Sequence, residues 1–179
     1  MSDGRAKLDT LDLALIGALT RQPRAGVLEL SRLLRVARGT VAARLQRLED
    51  AGVITGYGPD IDLGAAGFPV QAFVTLEIAQ GALEEVTKEL VQVPGLLEAH
   101  VTTGAGDVLC RVAARSHEDL QETLLALNRS PYVVRSTSVV ALSTVVPYRV
   151  LPLLQAQPRS APGRAPAYRS ARDGGTPAS

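Results

Sequence analysis

Arginine is the residue type whose spacing points most directly to a chemistry in this chain. Residues 21–47 contain seven arginines and one acidic residue, Glu29, and so carry a net charge of +6, whereas the whole chain carries only +1. Residues 52–154 contain six basic and eleven acidic side chains. A basic segment attached to an acidic body indicates that this segment alone meets a polyanion such as DNA. The alternative is that the arginines only solvate the protein surface.

A second candidate site is a glycine-rich loop in the acidic part of the chain. Its residues are Thr102, Thr103, Gly104, Ala105, Gly106 and Asp107. Two glycines let backbone amides converge on a ligand carboxylate, and an aspartate can pair with an ammonium group, so the loop suits a small zwitterion. Ser136 and Ser138 complete the candidate effector-binding residues. The alternative, an ordinary glycine-rich turn between strands, fits the sequence at least as well.

The arginines lie on three predicted helices. Apolar residues at helical spacing predict helices over about 10–21, 27–34 and 38–51. Asp9 or Thr10 can cap the first helix, and a glycine at position 52 ends the third. Because only a tight turn separates the second and third helices, the segment is predicted to be a helix-turn-helix, winged-helix-like domain over 1–58.

The third predicted helix is the one that would enter the major groove of DNA. Val41, Leu45 and Leu48 define its buried face, so the opposite face and its flank are exposed. Arg38 at the helix start suits a guanine edge or a phosphate, whereas arginines further along the helix suit phosphates. The predicted DNA-binding residues are Arg38, Gly39, Thr40, Ala43, Arg44 and Arg47.

The rest of the chain is predicted to form a second domain after a hinge over 59–69. Alternating apolar residues predict strands over 70–79, 96–103, 108–114 and 132–145, and helical spacing predicts a helix after the first strand and another after the third. The order βαββαβ is that of a ferredoxin-like antiparallel sheet with both helices on one face. The predicted fold class is therefore α+β, with the second domain over 70–150 and a disordered tail over 151–179.

One face of this predicted sheet has no helix to cover it. The residues assigned to that face are Phe73, Thr75, Val134, Ser136, Val140 and Leu142. Their apolar content favours burial against a second copy of the chain. The sequence thus predicts a homodimer or a higher oligomer.

Catalysis, metal binding and membrane insertion find little support in the sequence. His100 and His117 have neither metal-ligand spacing nor a partnered nucleophile, and Cys110 lies in an apolar segment as a buried thiol. Without a long apolar run or a signal peptide, the protein is expected to be cytoplasmic, with no cofactor and no enzymatic activity. The alternative class is a small-molecule-binding protein or an acylphosphatase-like enzyme on the same fold, without DNA function.

Several short segments also resemble a known family. They are Leu8-Asp9-Thr10-Leu11-Asp12, Glu29-Leu30-Ser31, Val41 through Ile54, Gly56-Tyr57 with Gly67, and Thr103 through Asp107. They occur in the order found in the Lrp/AsnC, or feast/famine, family of prokaryotic regulators, and the resemblance covers about residues 7–150.

The resemblance implies that the second domain binds an amino acid and that the chain forms dimers and octamers. Family members dimerise through these domains, often bind amino acids through the loop at their interfaces, and change assembly or DNA affinity. Three positions depart from the family pattern. Ala37 stands where a capping Ser or Asn is common, a typical loss of ~1 kcal/mol, and Ala105-Gly106 replaces an acidic and a bulky residue, which predicts a wider, less polar pocket.

Overall fold

The computed structural model describes residues 7–156, which form two compact units. The first unit runs to Pro59 and resumes at Tyr148, and the second spans Asp60–Pro147. Within the described residues, no helix is long and apolar enough to cross a lipid bilayer. The predicted fold class is confirmed: a helix-turn-helix unit is followed by an antiparallel sheet with helices.

Three helices form the body of the first unit: α1 (Thr10–Arg21), α2 (Val27–Leu34) and α3 (Arg38–Asp50). Asp9 caps α1 through a reciprocal capping box with Asp12, which satisfies backbone amides of the first turn. Ala37, at the start of α3, provides no side-chain cap. Apolar residues from all three helices then pack together in one core: Leu15, Ala18, Leu30 and Val41.

The first unit contains a further helix that the sequence analysis placed in a disordered tail. Residues Leu151–Ala156 form a short helix, α6, whose Leu151 packs against Gly17 of α1. The carbonyl of Val150 accepts hydrogen bonds from the amides of Leu153 and Leu154. The tail prediction was therefore wrong for 151–156, where Leu151 packs against α1; the remainder, 157–179, lies outside the described residues.

The second unit contains β1 (Val70–Ile78), α4 (Leu83–Leu90), β2 (Leu96–Val101), β3 (Val108–Ala114), α5 (His117–Asn128) and β4 (Val133–Ala141). The strands form one antiparallel sheet in the order β2-β3-β1-β4. Both helices cover one face, where alternate residues of β1 and β3 join the core: Ala72, Val74, Leu76, Val108, Cys110 and Val112. Cys110 is fully buried there, and burial raises the pKa of its thiol to about 11.

Strand β4 is shorter than predicted, and two of its residues lie on the opposite sheet face from the one predicted. It ends at Ala141, which pairs with Gln71 near the start of β1, so residues predicted to continue it to 145 have no neighbouring strand within the described sheet. Directly opposed residues share a face, and Val140 pairs with Ala72 while Ser136 pairs with Leu76. Val140 and Ser136 therefore belong to the helix-covered face, which corrects their assignment to the open one.

The open sheet face is consequently less apolar than the sequence suggested. Phe73 and Thr75 of β1 do lie on it, beside Val139 and Thr137 of β4. Val134 lies at an irregularity in the pairing, and Leu142 lies beyond the strand. The same face carries a polar group in which Arg111 donates a hydrogen bond to Gln71 at 2.8 Å and lies 3.7 Å from Glu98.

Candidate functional site

The outer side of α3 is exposed along most of its length. Val41 and Leu48 are fully buried on the inner side. Arg38, Gly39, Thr40 and Ala43 are exposed, and Gly39 has open space where a Cβ would stand. Four of the predicted DNA-binding residues are thus accessible near the start of α3. The small side chains at positions 39, 40 and 43 permit close approach to another molecule.

Two further predicted DNA-binding residues of α3 have partners on α1. Nη1 of Arg44 donates to Oδ1 of Asp12 at 3.0 Å and also contacts Oδ2 of Asp9. Nη2 of Arg47 lies 2.5 Å from Oδ2 of Asp12. Asp12 is fully buried, whereas the side chains of Arg44 and Arg47 are 31% and 44% exposed. Both arginines therefore join α3 to the first turn of α1.

The ion pair between Asp9 and Arg44 shifts the pKa of both side chains. Burial tends to raise the pKa of Asp9, but the hydrogen bond from Arg44 and those from the backbone amides of Asp12 and Leu11 outweigh it and lower that pKa. The hydrogen bond to Asp9 raises the pKa of Arg44 despite partial burial. Sequence reasoning treated Asp9 only as a cap and assigned no role to Asp12, although two acids three residues apart on α1 mirror two arginines three residues apart on α3.

The glycine-rich loop from Thr102 to Asp107 joins β2 to β3 and is anchored to the end of β1. The amide of Asp107 donates to the carbonyl of Leu76 at 2.8 Å, and Oδ2 of Asp107 accepts from the amide of Ile78 at 2.8 Å. The hydroxyl of Thr102 donates to the carbonyl of Gly106 at 2.9 Å. These groups hold the loop in shape, so one oxygen of the Asp107 carboxylate already has a partner within the protein.

The tip of the loop presents backbone donors. Within residues 7–156, none of the amides from Thr103 to Gly106 donates a hydrogen bond to a carbonyl or a side chain. Thr103, Gly104 and Ala105 are exposed. Gly104 has a φ of +125°, a conformation that side chains rarely allow. Consecutive free amides of this kind can bind an anionic group such as a carboxylate.

Gly106 leaves no open space toward the sheet. A Cβ at this buried position would lie 2.2 Å from Cγ2 of Thr75 and 3.3 Å from the carbonyl oxygen of Leu76. The space beside Gly106 is therefore filled by Thr75 of β1. The missing side chain at Gly106 is thus replaced by a neighbouring side chain rather than by a void, and the width of the pocket stays a prediction.

The two serines of the predicted effector site lie across β1 from this loop. Ser136 pairs with Leu76, whose carbonyl accepts from the loop residue Asp107, and Ser138 pairs with Val74. Ser136 is half-buried and Ser138 is exposed on the edge strand. One strand thus separates the serines from the loop, and no contact joins the two groups among the hydrogen bonds of the described residues.

A cavity of about 750 Å³ in the second unit was not anticipated from the sequence. Its lining combines apolar residues, among them Phe68, Val93 and Leu97, with the charged residues Arg115, Asp119 and Arg129. Nε of Arg115 lies 3.5 Å from Oδ2 of Asp119. Periodicity could place the charges on and before α5, but it could not show that the segment containing Phe68 faces them.

The histidines form no catalytic cluster in the part of the chain that the structure describes. Both are exposed, and His100 lies 3.6 Å from the carboxylate of Glu98 on the sheet surface. No group of three potential metal-ligating side chains is found within residues 7–156.

Comparison with known proteins matches both units to described domains. A winged helix-turn-helix DNA-binding model matches residues 8–55, and a model of the Lrp/AsnC ligand binding domain matches residues 71–151. An HTH-type transcriptional regulator from Methanocaldococcus jannaschii is 32% identical over 117 residues, which cover 65% of this chain and 79% of that protein. The chain belongs to the Lrp/AsnC family.

Other Lrp/AsnC relatives agree in length and fold. The HTH-type transcriptional regulator FL11 of Pyrococcus horikoshii is 28% identical over 78% of this chain and 93% of its own. AsnC from E. coli, 23% identical, superimposes with a TM-score of 0.76 over 81% of this chain and 99% of its own. A feast or famine regulatory protein from M. tuberculosis, solved with L-methionine, is 25% identical with a TM-score of 0.72, over 80% of this chain and 97% of its own.

The predicted family and general function are thereby confirmed. This Lrp/AsnC protein is a DNA-binding transcriptional regulator with a ligand-binding domain. The assignments of individual DNA-binding and effector-binding residues are not tested by these comparisons and stay predictions.

Proposed function

We propose that this regulator binds DNA with the exposed side of α3 and that an amino acid or a related small metabolite bound in the second unit modulates the binding. The observation that carries the proposal is the exposure of Arg38, Gly39 and Thr40 in the first turn of α3, directly before a fully buried Val41. In helix-turn-helix proteins, the first residues of the recognition helix contact base edges. Ala43 extends this surface by one turn, and Arg44 and Arg47 border it.

The protein acts as a homodimer or a larger symmetric assembly, up to the octamer that its family resemblance implies. Two recognition helices about 34 Å apart would then meet successive major grooves on one side of the DNA and favour a roughly palindromic site. The open sheet face around Phe73 and Val139 supports this proposal, since both apolar side chains are substantially exposed in the single chain.

The effector site is proposed at the tip of the loop from Thr102 to Asp107. The free amides from Thr103 to Gly106 suit a ligand carboxylate, and the remaining oxygen of Asp107 suits an ammonium group. Ser136 and Ser138 would contribute hydroxyls from the edge strand. L-Methionine is the first compound to test, because the M. tuberculosis relative was solved with it.

The DNA proposal is tested by gel retardation on the gene's own upstream region over a series of salt concentrations. Arg38→Ala should weaken binding and lower the salt slope by about 0.9, the value for one lost phosphate contact, if Arg38 binds a phosphate. If it reads a guanine, the loss should instead concentrate on one base pair, at about 1–3 kcal/mol. Arg129→Ala, which removes an exposed arginine from the second unit, is the matched control. Unchanged binding by Arg38→Ala would refute the assignment.

The effector proposal is tested by calorimetry with the twenty amino acids. Asp107→Asn can still accept the hydrogen bond from Ile78 but loses its charge, so it should weaken binding of a zwitterion without unfolding the loop. Arg129→Ala removes a side chain that lines the 750 Å³ cavity and leaves the loop from Thr102 to Asp107 unchanged. Loss of binding only in Arg129→Ala would move the site to that cavity, and the absence of heat with every amino acid would exclude this effector class.

A further inference from the structure

The ion pairs between α1 and α3 suggest a role for Arg44 and Arg47 that differs from phosphate binding. We propose that these two arginines are positioning residues, which hold the recognition helix at a set orientation through their ion pairs with Asp12 and Asp9. We call these four residues the α1–α3 clamp. The inference rests on the proposed use of α3 in DNA binding and assigns the arginines a different part in it.

The burial of Asp12 is the first argument for the clamp. Its side chain is fully buried, yet both carboxylate oxygens have donors: Oδ1 accepts from Arg44, and Oδ2 accepts from Arg47 and from the amide of Asp9. A buried carboxylate without such partners is strongly unfavourable. Neither arginine can therefore turn its bonded nitrogen toward a phosphate without removing a partner from a buried charge.

The arrangement along the two helices is the second argument. Arg44 and Arg47 are three residues apart and so lie on one side of α3. Asp9 and Asp12, equally spaced, belong to the N-cap and the first turn of α1. Nη1 of Arg44 contacts both acids, so the clamp has contacts at two positions on each helix. Two such points resist rotation of α3 about the contact better than one would.

The consequence for DNA binding follows from the position of the exposed residues on the same helix. Arg38, Gly39 and Thr40 precede the clamp by one to two turns of α3, so a change in the helix orientation moves them relative to the groove. The clamp should therefore affect affinity without itself adding a contact to the DNA. A phosphate contact, in contrast, releases counterions and is detected in the salt dependence of binding.

The test compares salt slopes of DNA binding for Arg44→Met, Arg47→Met, Asp12→Asn and Arg38→Ala in the full chain. Methionine retains an unbranched stem that can pack where the arginine stem packed. We expect roughly tenfold weaker binding at fixed salt for Arg44→Met and Asp12→Asn, with a slope equal to that of the parent. Arg44→Lys restores one charged contact and should recover part of the affinity, again without a change in slope.

Asp12→Asn is the decisive variant because its fully buried side chain cannot touch DNA. Urea unfolding of Asp12→Asn, Arg44→Met and the double variant adds a second measurement, in which the two single effects should not add. A slope lowered by about 0.9 for each arginine removed would identify phosphate contacts and overturn the proposal. Full affinity in folded Asp12→Asn, or additive unfolding effects, would overturn it as well.

Failure of the clamp can be distinguished from failure of the proposed function. If the parent protein does not bind the upstream DNA at low salt, the assignment of α3 fails, while the unfolding cycle still measures the coupling between Asp12 and Arg44. If the parent binds and only Arg38→Ala weakens binding, the recognition surface stands and the clamp is refuted.

Discussion

Gly106 is the residue at which the glycine-rich loop packs closely on the sheet. Its Cα faces the methyl group of Thr75, and an added Cβ would lie 2.2 Å from that methyl carbon. The amide of the next residue, Asp107, is bonded to the carbonyl of Leu76, so the loop cannot simply retreat. The composition of the loop is therefore constrained by packing as well as by any ligand.

Gly106→Ala should destabilise the second unit. Overpacking of this kind lowers the free energy of unfolding by about 1–3 kcal/mol, which urea denaturation can measure. Adding Thr75→Ser removes the opposing methyl group and should restore most of the loss. Equal stability of Gly106→Ala and the parent would show that the loop shifts freely, contrary to its anchoring at Leu76.

Asp9 should make the stability of the first unit depend on acidity. Its pKa in the folded protein is lowered from its ordinary value of 3.8, so the folded form binds a proton less readily than the unfolded form. The stabilisation is therefore complete above the unfolded pKa and is lost as the pH falls through the folded one. Urea unfolding over a series of acidic pH values should show this loss in the parent.

Asp9→Asn is the matched comparison for that measurement. Asparagine is an equally good N-cap, so the variant keeps the cap of α1 while it removes the charge that faces Arg44. The free energy of unfolding should decline less steeply with falling pH in Asp9→Asn than in the parent. Parallel curves would contradict the assignment.

At the scale of elements, Gly17 is the place where α6 rests on α1. A Cβ at this position would lie 3.6 Å from Leu151 and 3.5 Å from Arg21, which are ordinary contact distances. Gly17→Ala should therefore raise the free energy of unfolding by up to about 1 kcal/mol through its better helix propensity.

Gly17→Leu supplies the contrasting case. Its larger side chain would occupy the position of Leu151 and displace α6 from α1. Faster hydrogen exchange at the amides of Leu153 and Leu154, which bond to Val150, should report the displacement. Unchanged exchange in Gly17→Leu, relative to Gly17→Ala, would show that α6 does not depend on this contact.

Apolar spacing and capping residues predicted the helices and strands whose bounds depend on nearby residues. The bounds of α1, α2 and β3 follow from apolar spacing and caps, and Ala37 was correctly identified as a start without a side-chain cap. Features that depend on residues distant in the sequence were not predicted. Strand β4 ends where its partner β1 begins, and α6 is too short to show a period and packs at Gly17, more than a hundred residues earlier.

In the candidate sites, too, the sequence predicted what depends on nearby residues and missed what depends on distant ones. Charge and helical period placed Arg38, Gly39, Thr40 and Ala43 on an exposed surface of α3. They could not reveal that Arg44 pairs with acids more than thirty residues earlier, since residue type does not specify a distant partner. The loop was located by its glycines, but the filling of the space beside Gly106 by Thr75 depends on strand pairing.

At the scale of the whole molecule, the open sheet face is the surface proposed for self-association. Phe73 is 44% exposed and Val139 is 64% exposed in the single chain. Phe73→Asp should place an unpaired charge in the interface and weaken the dimer by about 3 kcal/mol or more. Analytical ultracentrifugation would show a shift toward monomer.

Leu142→Asp is the control for this prediction, because Leu142 is 97% exposed and lies just beyond β4. It should leave the assembly unchanged if the interface is confined to the sheet face. Dissociation by Leu142→Asp but not by Phe73→Asp would place the interface on the segment after β4.

The return of the chain to the first unit at Tyr148 makes the DNA-binding domain discontinuous, with the sensing domain as an insertion between Pro59 and Tyr148. Both ends of the sensing domain are thus covalently joined to the domain that reads DNA. A fragment that stops at Pro59 would carry every residue assigned to DNA recognition and still lack α6, which covers Gly17. Trimming the carboxyl terminus before Leu151 would therefore alter the amino-terminal domain, the part of the protein that is furthest from the cut in sequence.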